Sequence, residues 1–296
     1  MSLNAGYVYR DEVRPADAGT QVLAYHAARF QHSSREHWRR TIEAGAVRVN
    51  GDVALCEQLL RAGDRLEFHR PPWEEPEAPL EFHVVHEDAD VLVVEKPAGL
   101  QVLPAGPFLE HTLLRLVCAS DPSRAGSAPV HRLGRGTSGL VLFGKDASAR
   151  AFLSAEFRSF RATKTYLALA SGTALPTSCI ARQPIGPRAH GPLQVYCVDP
   201  AGQASVTRLR VLARDPLAQR SLVAAQPITG RPNQIRIHLA ALGAPLVGDP
   251  LFGPGGVVAN DVPPGMGGYF LHAAGLRFVH PSTARMVKVR SRPSWS

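Results

Sequence analysis

Residues 129–146 read PVHRLGRGTSGLVLFGKD, a glycine-rich polar loop followed directly by an apolar run. The run GLVLFG, bounded by turn residues, predicts a buried strand. Within the loop, residues 131–139, only His131, Thr137 and Ser138 carry a group that can take a proton or attack carbon at neutral pH. The loop therefore resembles an active-site segment, but it carries glycine where such chemistry usually requires an acid.

The composition favours a polyanionic partner. The chain has 296 residues, enough for one large domain or two domains with a sizeable core, and a formal charge of +8. Arginine exceeds lysine, and its planar fork pairs with phosphate, so we expect nucleic acid as the partner. A generally basic solvated surface is the alternative interpretation of the charge alone.

Cysteine spacing and hydropathy give no indication of a metal site, a disulfide framework or a membrane span. The four cysteines are widely spaced and form no CxxC pair, which fits a reducing cytosol. No apolar run approaches the ~18 residues of a spanning helix, and the first residues lack the apolar region of a signal peptide. We therefore expect a cytoplasmic protein with no metal and no membrane partner. Nothing indicates an obligate oligomer, so a monomer is expected.

Residues 15–70 predict a small α/β module. Helical spacing over residues 21–30 is followed by a second helix, with Ser34 as its N-cap and Gly45 at its end. The dipeptide Asn50-Gly51 then predicts a hairpin turn between two short strands.

Three arginines lie on the second helix of this module. Arg35 and Arg39 share one face because they are four residues apart, and Arg40 follows directly. These side chains either grip a phosphate backbone or form a solvated charged face. The strings SREHWRRTIEAGAVRVNG and LRAGDRLEF resemble the S-four-like (αL) RNA-binding domain, and this resemblance implies that the module binds RNA.

A proline-rich acidic linker over residues 71–80 separates this module from residues 81–296. The later segment alternates short strands, tight turns and a few helices, which predicts an α+β domain and not a doubly wound one. Ser148 is the predicted N-cap of the helix after GLVLFGKD. Pro232 is predicted near the first turn of the helix in RPNQIRIHLAALG.

Five ordered strings of the second segment resemble the RluA-type RNA pseudouridine synthase family. They are VLVVEKPAGLQVLP, PVHRLGRGTSGLVLFGKD, KTYLALASG, ITGRPNQIRIHLAALGAPLVGD and LHAAGLRFVHP. The resemblance implies a catalytic domain with a mixed, mainly antiparallel sheet that isomerises uridine to pseudouridine in ribosomal or transfer RNA without a cofactor. Because a base inside folded RNA is unreachable, it also implies that the base is flipped into a pocket.

The resemblance assigns roles to single residues. Tyr166 would stack on the target base, Arg236 would pair with the essential carboxylate, and Arg132 would occupy the space left by the flipped base. The alternative for Tyr166 is a core residue on a strand, and for Arg236 a surface residue on a helix. The other implied positions are His131 and Thr137 at the RNA, and Leu246, Gly248 and Asp249 at the border of the pocket.

The family's catalytic aspartate is absent from this chain. Its slot in the usual string HRLD.DTSG is Gly134, and the second acidic slot is Gly136. Pro232 and Asn233 also replace Thr and His of the usual TGRTHQIR. No carboxylate can therefore attack or deprotonate ribose from residue 134, and Arg236 is expected to lack its partner.

Three explanations of the missing acid stay open from the sequence. Another group replaces it, such as Asp249, Asp146, Glu110 or a water held by Arg236; the chain binds RNA without isomerising it; or the glycine makes room for a phosphate. A carboxylate beside Arg236 would support an enzyme, and an empty or anion-filled pocket would support a non-catalytic RNA-binding protein. The substitution Gly134→Asp is expected to give Arg236 a partner and to leave the protein at least as stable.

Overall fold

The computed structural model describes residues 3–30, 33–191, 193–263 and 265–295. The chain divides into a smaller unit, residues 1–75 with 191–193, and a larger unit, residues 76–190 with 194–296. The main division falls inside the stretch 71–80 that the sequence predicts as a linker. None of the described helices is long and apolar enough to cross a membrane.

The smaller unit combines two helices with a four-stranded antiparallel sheet of order β1-β4-β2-β3. Ser34 caps the second helix as predicted, because its Oγ accepts the His37 N–H at 3.1 Å. Asn50 and Gly51 both have positive φ, as a tight hairpin turn requires. The elements are β1 (Tyr7–Glu12), α1 (Val22–Arg29), α2 (Arg35–Glu43), β2 (Val47–Val49), β3 (Asp52–Val53) and β4 (Arg65–Arg70).

One strand of the smaller unit was not predicted. Strand β1 begins at Tyr7, before residue 15, and pairs along its whole length with β4. Its sequence YVYRDE does not alternate cleanly between apolar and polar residues, so it gives no strand signal by itself. Pairing with the edge of β4 is what makes this segment a strand.

The larger unit is built on a ten-stranded sheet. The main path is β10-β13-β14-β9-β15-β8-β6-β5, with β16 beside β15 and β7 beside β8. Its strands are β5 (His83–Glu87), β6 (Val91–Lys96), β7 (Ala128–Pro129), β8 (Ser138–Gly144), β9 (Thr163–Ser171), β10 (Ser178–Ala181), β13 (Thr207–Asp215), β14 (Arg220–Pro227), β15 (Leu271–Val279) and β16 (Met286–Arg290). A separate two-stranded sheet contains β11 (Ile185–His190) and β12 (Leu193–Val198), and the helices are α3 (Leu113–Ser120), α4 (Ala147–Arg158) and α5 (Gln234–Ala241).

The sheet confirms the predicted α+β class with mixed, mainly antiparallel strands. The pairs along the path are antiparallel except β15 with β8, which run parallel. One face packs on α3 and α5, whose Val117 and Leu239 join its core. The other face packs on α4 through Leu153. The larger unit thus has many strands and few helices, which agrees with the many short turns in its sequence.

Two helix starts differ from the prediction. Ser148 is not the N-cap of α4; Asp146 is, because its Oδ1 accepts the Ala149 N–H at 2.8 Å and the helix begins one residue later. Pro232 lies before α5 and not in its first turn. The N-cap there is Asn233 with φ 56°, a left-handed conformation that asparagine adopts more readily than most residues.

Candidate active site

A cavity of about 960 Å³ opens in the larger unit on the α5 face of the sheet. Its walls are the loop 101–108, the loop 132–137, the start of β9 and the segment 227–236 that leads into α5. All five of the strings that the sequence singles out therefore contribute residues here, although they are far apart in the chain. Strand pairing brings them together, since β9 lies beside both β14 and β15.

Of the nine predicted site residues in the larger unit, the structure brings five to this cavity and leaves four outside its lining. Arg132, Gly134, Thr137, Tyr166 and Arg236 line it. The other four, His131, Leu246, Gly248 and Asp249, do not line it. The catalytic roles that the resemblance implies stay predictions.

Tyr166 is enclosed on β9 and is 7% exposed. It belongs to the same apolar core as Leu133 and Leu271, which both line the cavity as well. Burial raises the pKa of the phenol well above its usual range. The hydroxyl therefore stays protonated near neutral pH, so Tyr166 can stack on a ring or donate a hydrogen bond but is a poor base.

Arg236 has a carboxylate partner, so the expectation that it lacks one is wrong. Its Nε donates to Oδ2 of Asp249 at 2.8 Å and its Nη2 donates to Oδ1 at 2.7 Å. Both side chains are buried, with 3% and 0% exposure. The geometry is the bidentate fork that makes arginine–carboxylate pairs strong and directional.

Asp249 anchors this pair and does not face the cavity. Its Oδ1 also accepts the backbone N–H groups of Leu251 at 3.0 Å and Phe252 at 3.1 Å. With four donors on two oxygens, the carboxylate is fully engaged. Asp249 therefore supplies the missing partner of Arg236 without supplying an acid that could touch a ribose in the cavity.

The Arg236 guanidinium also packs against two aromatic rings. Its Cζ lies 4.1 Å from the ring centre of Tyr269 and 4.8 Å from that of Phe252. Asn233 Oδ1 accepts from Nη1 at 3.2 Å, so the asparagine that departs from the family's string contributes a further contact. Stacking and hydrogen bonds together fix one orientation of the positive charge at the cavity wall.

Tyr269 explains why the loop carries two glycines. A Cβ at Gly136 would lie 2.9 Å from Cε1 of Tyr269 and 2.7 Å from Cα of Gly267. A Cβ at Gly134 would lie 3.2 Å from the Tyr269 hydroxyl and 3.5 Å from Thr137 Oγ1. The Tyr269 ring thus leaves no room for a side chain at residue 136, whereas only its hydroxyl, which lies 3.2 Å from Thr137 Oγ1, crowds a side chain at residue 134.

The other candidate acids are engaged elsewhere. Asp146 caps α4, and the Glu110 carboxylate is half-exposed at 3.8 Å from Arg115. Neither lines the cavity, and among the described residues that do, none is an aspartate or a glutamate. The charged lining residues are all cationic: Arg132, Arg135, Lys164, Arg231 and Arg236.

Lys96 is a buried residue that holds the loop 132–137 through hydrogen bonds. No sequence pattern indicates this role. The side chain is fully buried, and Nζ donates to the carbonyls of Pro97 at 2.8 Å, Leu100 at 2.7 Å and Arg135 at 3.2 Å. Burial lowers the pKa of this amine to about 7. Lys96 therefore ties the loop 132–137 to the end of β6.

Ser138 and His131 hold the ends of the loop and do not line the cavity. Ser138 Oγ lies 2.8 Å from His272 Nδ1, and His272 Nε2 lies 2.9 Å from Ser291 Oγ, which donates to Glu95 at 2.7 Å. The Nε2 of His131 accepts the Leu142 N–H at 3.2 Å. Both side chains therefore hold the ends of the loop in place in this chain.

The three arginines of α2 are exposed on the smaller unit. Arg39 and Arg40 both lie near Glu36, with Nε–carboxylate distances of 3.8 Å and 3.1 Å. The exposed face of α2 therefore carries a net positive charge, which the Glu36 carboxylate offsets only in part.

A family model matches part of the larger unit, and known proteins are similar to most of the chain. Residues 90–241 match the family model described as RNA pseudouridylate synthase. An uncharacterized RNA pseudouridine synthase of Synechocystis is 40% identical over 271 residues, which cover 90% of this chain and 92% of that protein. The chain belongs to the RNA pseudouridine synthase family. The family match contains the loop, Tyr166 and Arg236, so most of the cavity lining lies within the matched segment.

Two further relatives agree with this assignment. The ribosomal large subunit pseudouridine synthase C of Vibrio vulnificus is 33% identical, over 85% of this chain and 82% of that protein. The solved structure titled Human RNA Pseudouridylate Synthase Domain Containing 1 superposes with a TM-score of 0.59 at 28% identity, covering 75% of this chain and 88% of that one. The resemblance inferred from the five strings is thereby confirmed.

Proposed function

We propose that this chain isomerises uridine to pseudouridine within structured RNA, with the target base flipped into the cavity. The observation that carries the proposal is that Tyr166 and Arg236 line one cavity inside the segment that matches the family. The printed name of the Vibrio vulnificus relative refers to the large ribosomal subunit, which supports ribosomal RNA as the substrate.

The cavity has the size and charge that a flipped nucleotide requires. Its volume of about 960 Å³ lies at the upper end of the usual range for ligand sites. Cationic side chains at its walls offset the charge of the phosphates that accompany the base. Arg132 is exposed at the entrance, where it can enter the duplex as the base leaves. Stacking on the ring of Tyr166 offsets part of the unstacking energy.

A second candidate function is RNA binding without isomerisation. The observation that favours it is that no carboxylate lines the cavity among the described residues. Asp249 does lie beside Arg236, but it is fully buried and engaged. In this alternative the cavity holds an extruded base and the chain acts as an RNA-remodelling or assembly factor.

Chemical mapping of pseudouridine distinguishes the two functions. Deproteinised ribosomal RNA is incubated with and without the protein, and new pseudouridine positions are compared with positions protected on binding. A new pseudouridine supports the enzyme, and protection without modification supports the binder. The variant Tyr166→Leu removes the ring and should abolish either signal at the target base, whereas Tyr166→Phe keeps the ring and should retain protection.

Lys164 predicts a pH dependence of RNA affinity. Burial lowers the pKa of this cavity amine to about 8, and its neighbours are the Phe157 ring, 5.2 Å from Nζ, and the buried His131, whose pKa is lowered by burial and by the charge of Lys164. Below pH 8 the amine is cationic and attracts phosphate; above pH 8 it loses that charge. Affinity should therefore fall as the pH rises from 7 to 9.

Lys164→Met is the control for this titration. We expect the variant to bind more weakly at pH 7 and to lack the fall between pH 7 and 9. Titrations at constant ionic strength measure both. A wild-type affinity that is flat across this range would contradict the prediction.

We also propose that the smaller unit binds RNA through phosphate contacts, as its resemblance to the S-four-like domain implies. Replacing Arg35, Arg39 and Arg40 with alanine should weaken binding. Each lost contact should lower the salt dependence of log affinity by about 0.9 for duplex or 0.7 for single-stranded RNA.

The triple variant of Arg10, Arg14 and Arg29 is the matched control for this experiment. It changes the net charge equally within the same unit, but these arginines pair with Glu67, Asp17 and Asp11. The control should leave the salt slope nearly unchanged. An equal effect of both variants would show that charge alone, and not the α2 face, governs binding.

A further inference from the structure

A row of arginines lies on the sheet face opposite the cavity. In β13, the buried Thr207, Leu209 and Val211 alternate with the exposed Arg208 and Arg210. Leu209 and Val211 belong to the same core as Tyr166. The two arginines therefore point away from the cavity, into solvent.

The neighbours of these arginines are uncharged. Ile180 and Ser178 of the edge strand β10 lie opposite Arg208 and Arg210, and Gln226 and Ala224 lie opposite them on β14. Arg182, directly after β10, is also exposed. We call Arg182, Arg208 and Arg210 the basic sheet face.

The basic sheet face lacks the carboxylate partners that some other exposed arginines have. Arg10, Arg14 and Arg220 each lie within 3.2 Å of a carboxylate. No carboxylate of the described residues lies within 4 Å of a guanidinium of the basic sheet face. Adjacent like charges on a strand repel one another, so the patch is best satisfied by a partner that brings negative charge.

We infer that the basic sheet face is a second RNA-binding surface of the larger unit, and this rests on the proposed RNA substrate. Side chains two residues apart on a strand are separated by roughly 7 Å, so the row offers repeated phosphate contacts along an extended backbone. Arginine forks suit phosphate oxygens. Because the surface and the cavity lie on opposite faces, the RNA that occupies both must reach around the edge of the sheet. The substrate is therefore an RNA that is larger than a single small hairpin.

The test compares Arg208→Gln/Arg210→Gln with Arg115→Gln/Arg220→Gln. Both variants lower the net charge by two within the larger unit, but Arg115 and Arg220 lie near Glu110 and Asp215. Affinity for deproteinised large-subunit ribosomal RNA is measured between 50 and 200 mM KCl, and thermal melting checks the fold. We expect the first variant to reduce the salt slope by about 1.4–1.8, two contacts of 0.7–0.9 each. The control should change it by far less.

A short stem-loop of about ten base pairs is the second probe. Its affinity should be the same for wild type and Arg208→Gln/Arg210→Gln if it reaches only the cavity face. An unchanged slope on ribosomal RNA, or equal losses in both variants, would overturn the inference while leaving the proposed function standing. If the true partner of this surface were an acidic protein, the salt slope on ribosomal RNA would stay unchanged. A wild type that binds neither RNA would overturn the proposed function as well.

Discussion

Asp249→Ala is expected to destabilise the larger unit by about 3–5 kcal/mol. The substitution leaves the Arg236 guanidinium buried, with no carboxylate to balance its charge. It also leaves the N–H groups of Leu251 and Phe252 without their acceptor. Because a typical domain is stable by only 5–15 kcal/mol, the loss should be large in denaturant titration.

Paired replacement shows whether the charge or the shape is responsible. Asp249→Leu with Arg236→Met removes both charges and keeps apolar volume, so it should cost less than Asp249→Ala alone. Asp249→Asn keeps the shape and an acceptor oxygen and should fall between them. If Asp249→Ala costs under about 1 kcal/mol, water must reach Arg236, and the anchoring role assigned to Asp249 is wrong.

The local features of the fold could be predicted from the sequence because they depend on neighbouring residues. The cap at Ser34 and the turn at Asn50-Gly51 follow from side-chain reach and backbone freedom within a few residues. The sequence predicts the cap of α4 two residues late because aspartate and serine are both good caps, and only the geometry shows that Asp146 makes the bond. Strand β1 exists because of its pairing partner, which its own pattern does not reveal.

The candidate site was predicted in part. The resemblance placed Tyr166 and Arg236 in one pocket, and both do line one cavity. The missing carboxylate at Gly134 led to the expectation of an unpaired Arg236. That inference failed because the partner, Asp249, lies thirteen residues later on a loop, and its bidentate geometry depends on how that loop folds back against α5.

The electrostatics of the cavity also could not be predicted from single motifs. The cationic lining residues come from three separate segments, which only the sheet topology brings together. Lys96 acts by hydrogen bonding to a backbone carbonyl of the loop, and Tyr269 acts by packing against the loop glycines. The sequence around these two residues does not indicate either role. The substitution Gly134→Asp would add a carboxylate to a basic cavity. Arg236 would gain nothing from it, because Asp249 is already its partner. The stability gain expected from relief of an unpaired charge should therefore not appear.

Gly136→Ala is expected to destabilise the larger unit by about 1–3 kcal/mol, the range typical of overpacked cores. The added Cβ would meet Cα of Gly267 at 2.7 Å and the Tyr269 ring at 2.9 Å. A backbone atom and a ring that stacks on Arg236 cannot both move aside without disturbing the wall of the cavity. RNA affinity should fall together with stability, and both are measured by melting and titration.

Two other glycines of the cavity wall provide matched controls, because all three have backbone conformations that alanine can adopt. Gly230→Ala meets no atom within 4 Å and should be neutral or stabilising by about 0.4–1 kcal/mol. Gly134→Ala meets mainly the Tyr269 hydroxyl, so its smaller cost should largely vanish in Tyr269→Phe. The same Tyr269→Phe change should not rescue Gly136→Ala, whose contacts are with the ring and the backbone. If it did, the hydroxyl and not the ring would dictate glycine at both positions. The expected pattern means that Tyr269 and the two loop glycines form one packed set, so an acid can be restored at residue 134 but not at residue 136.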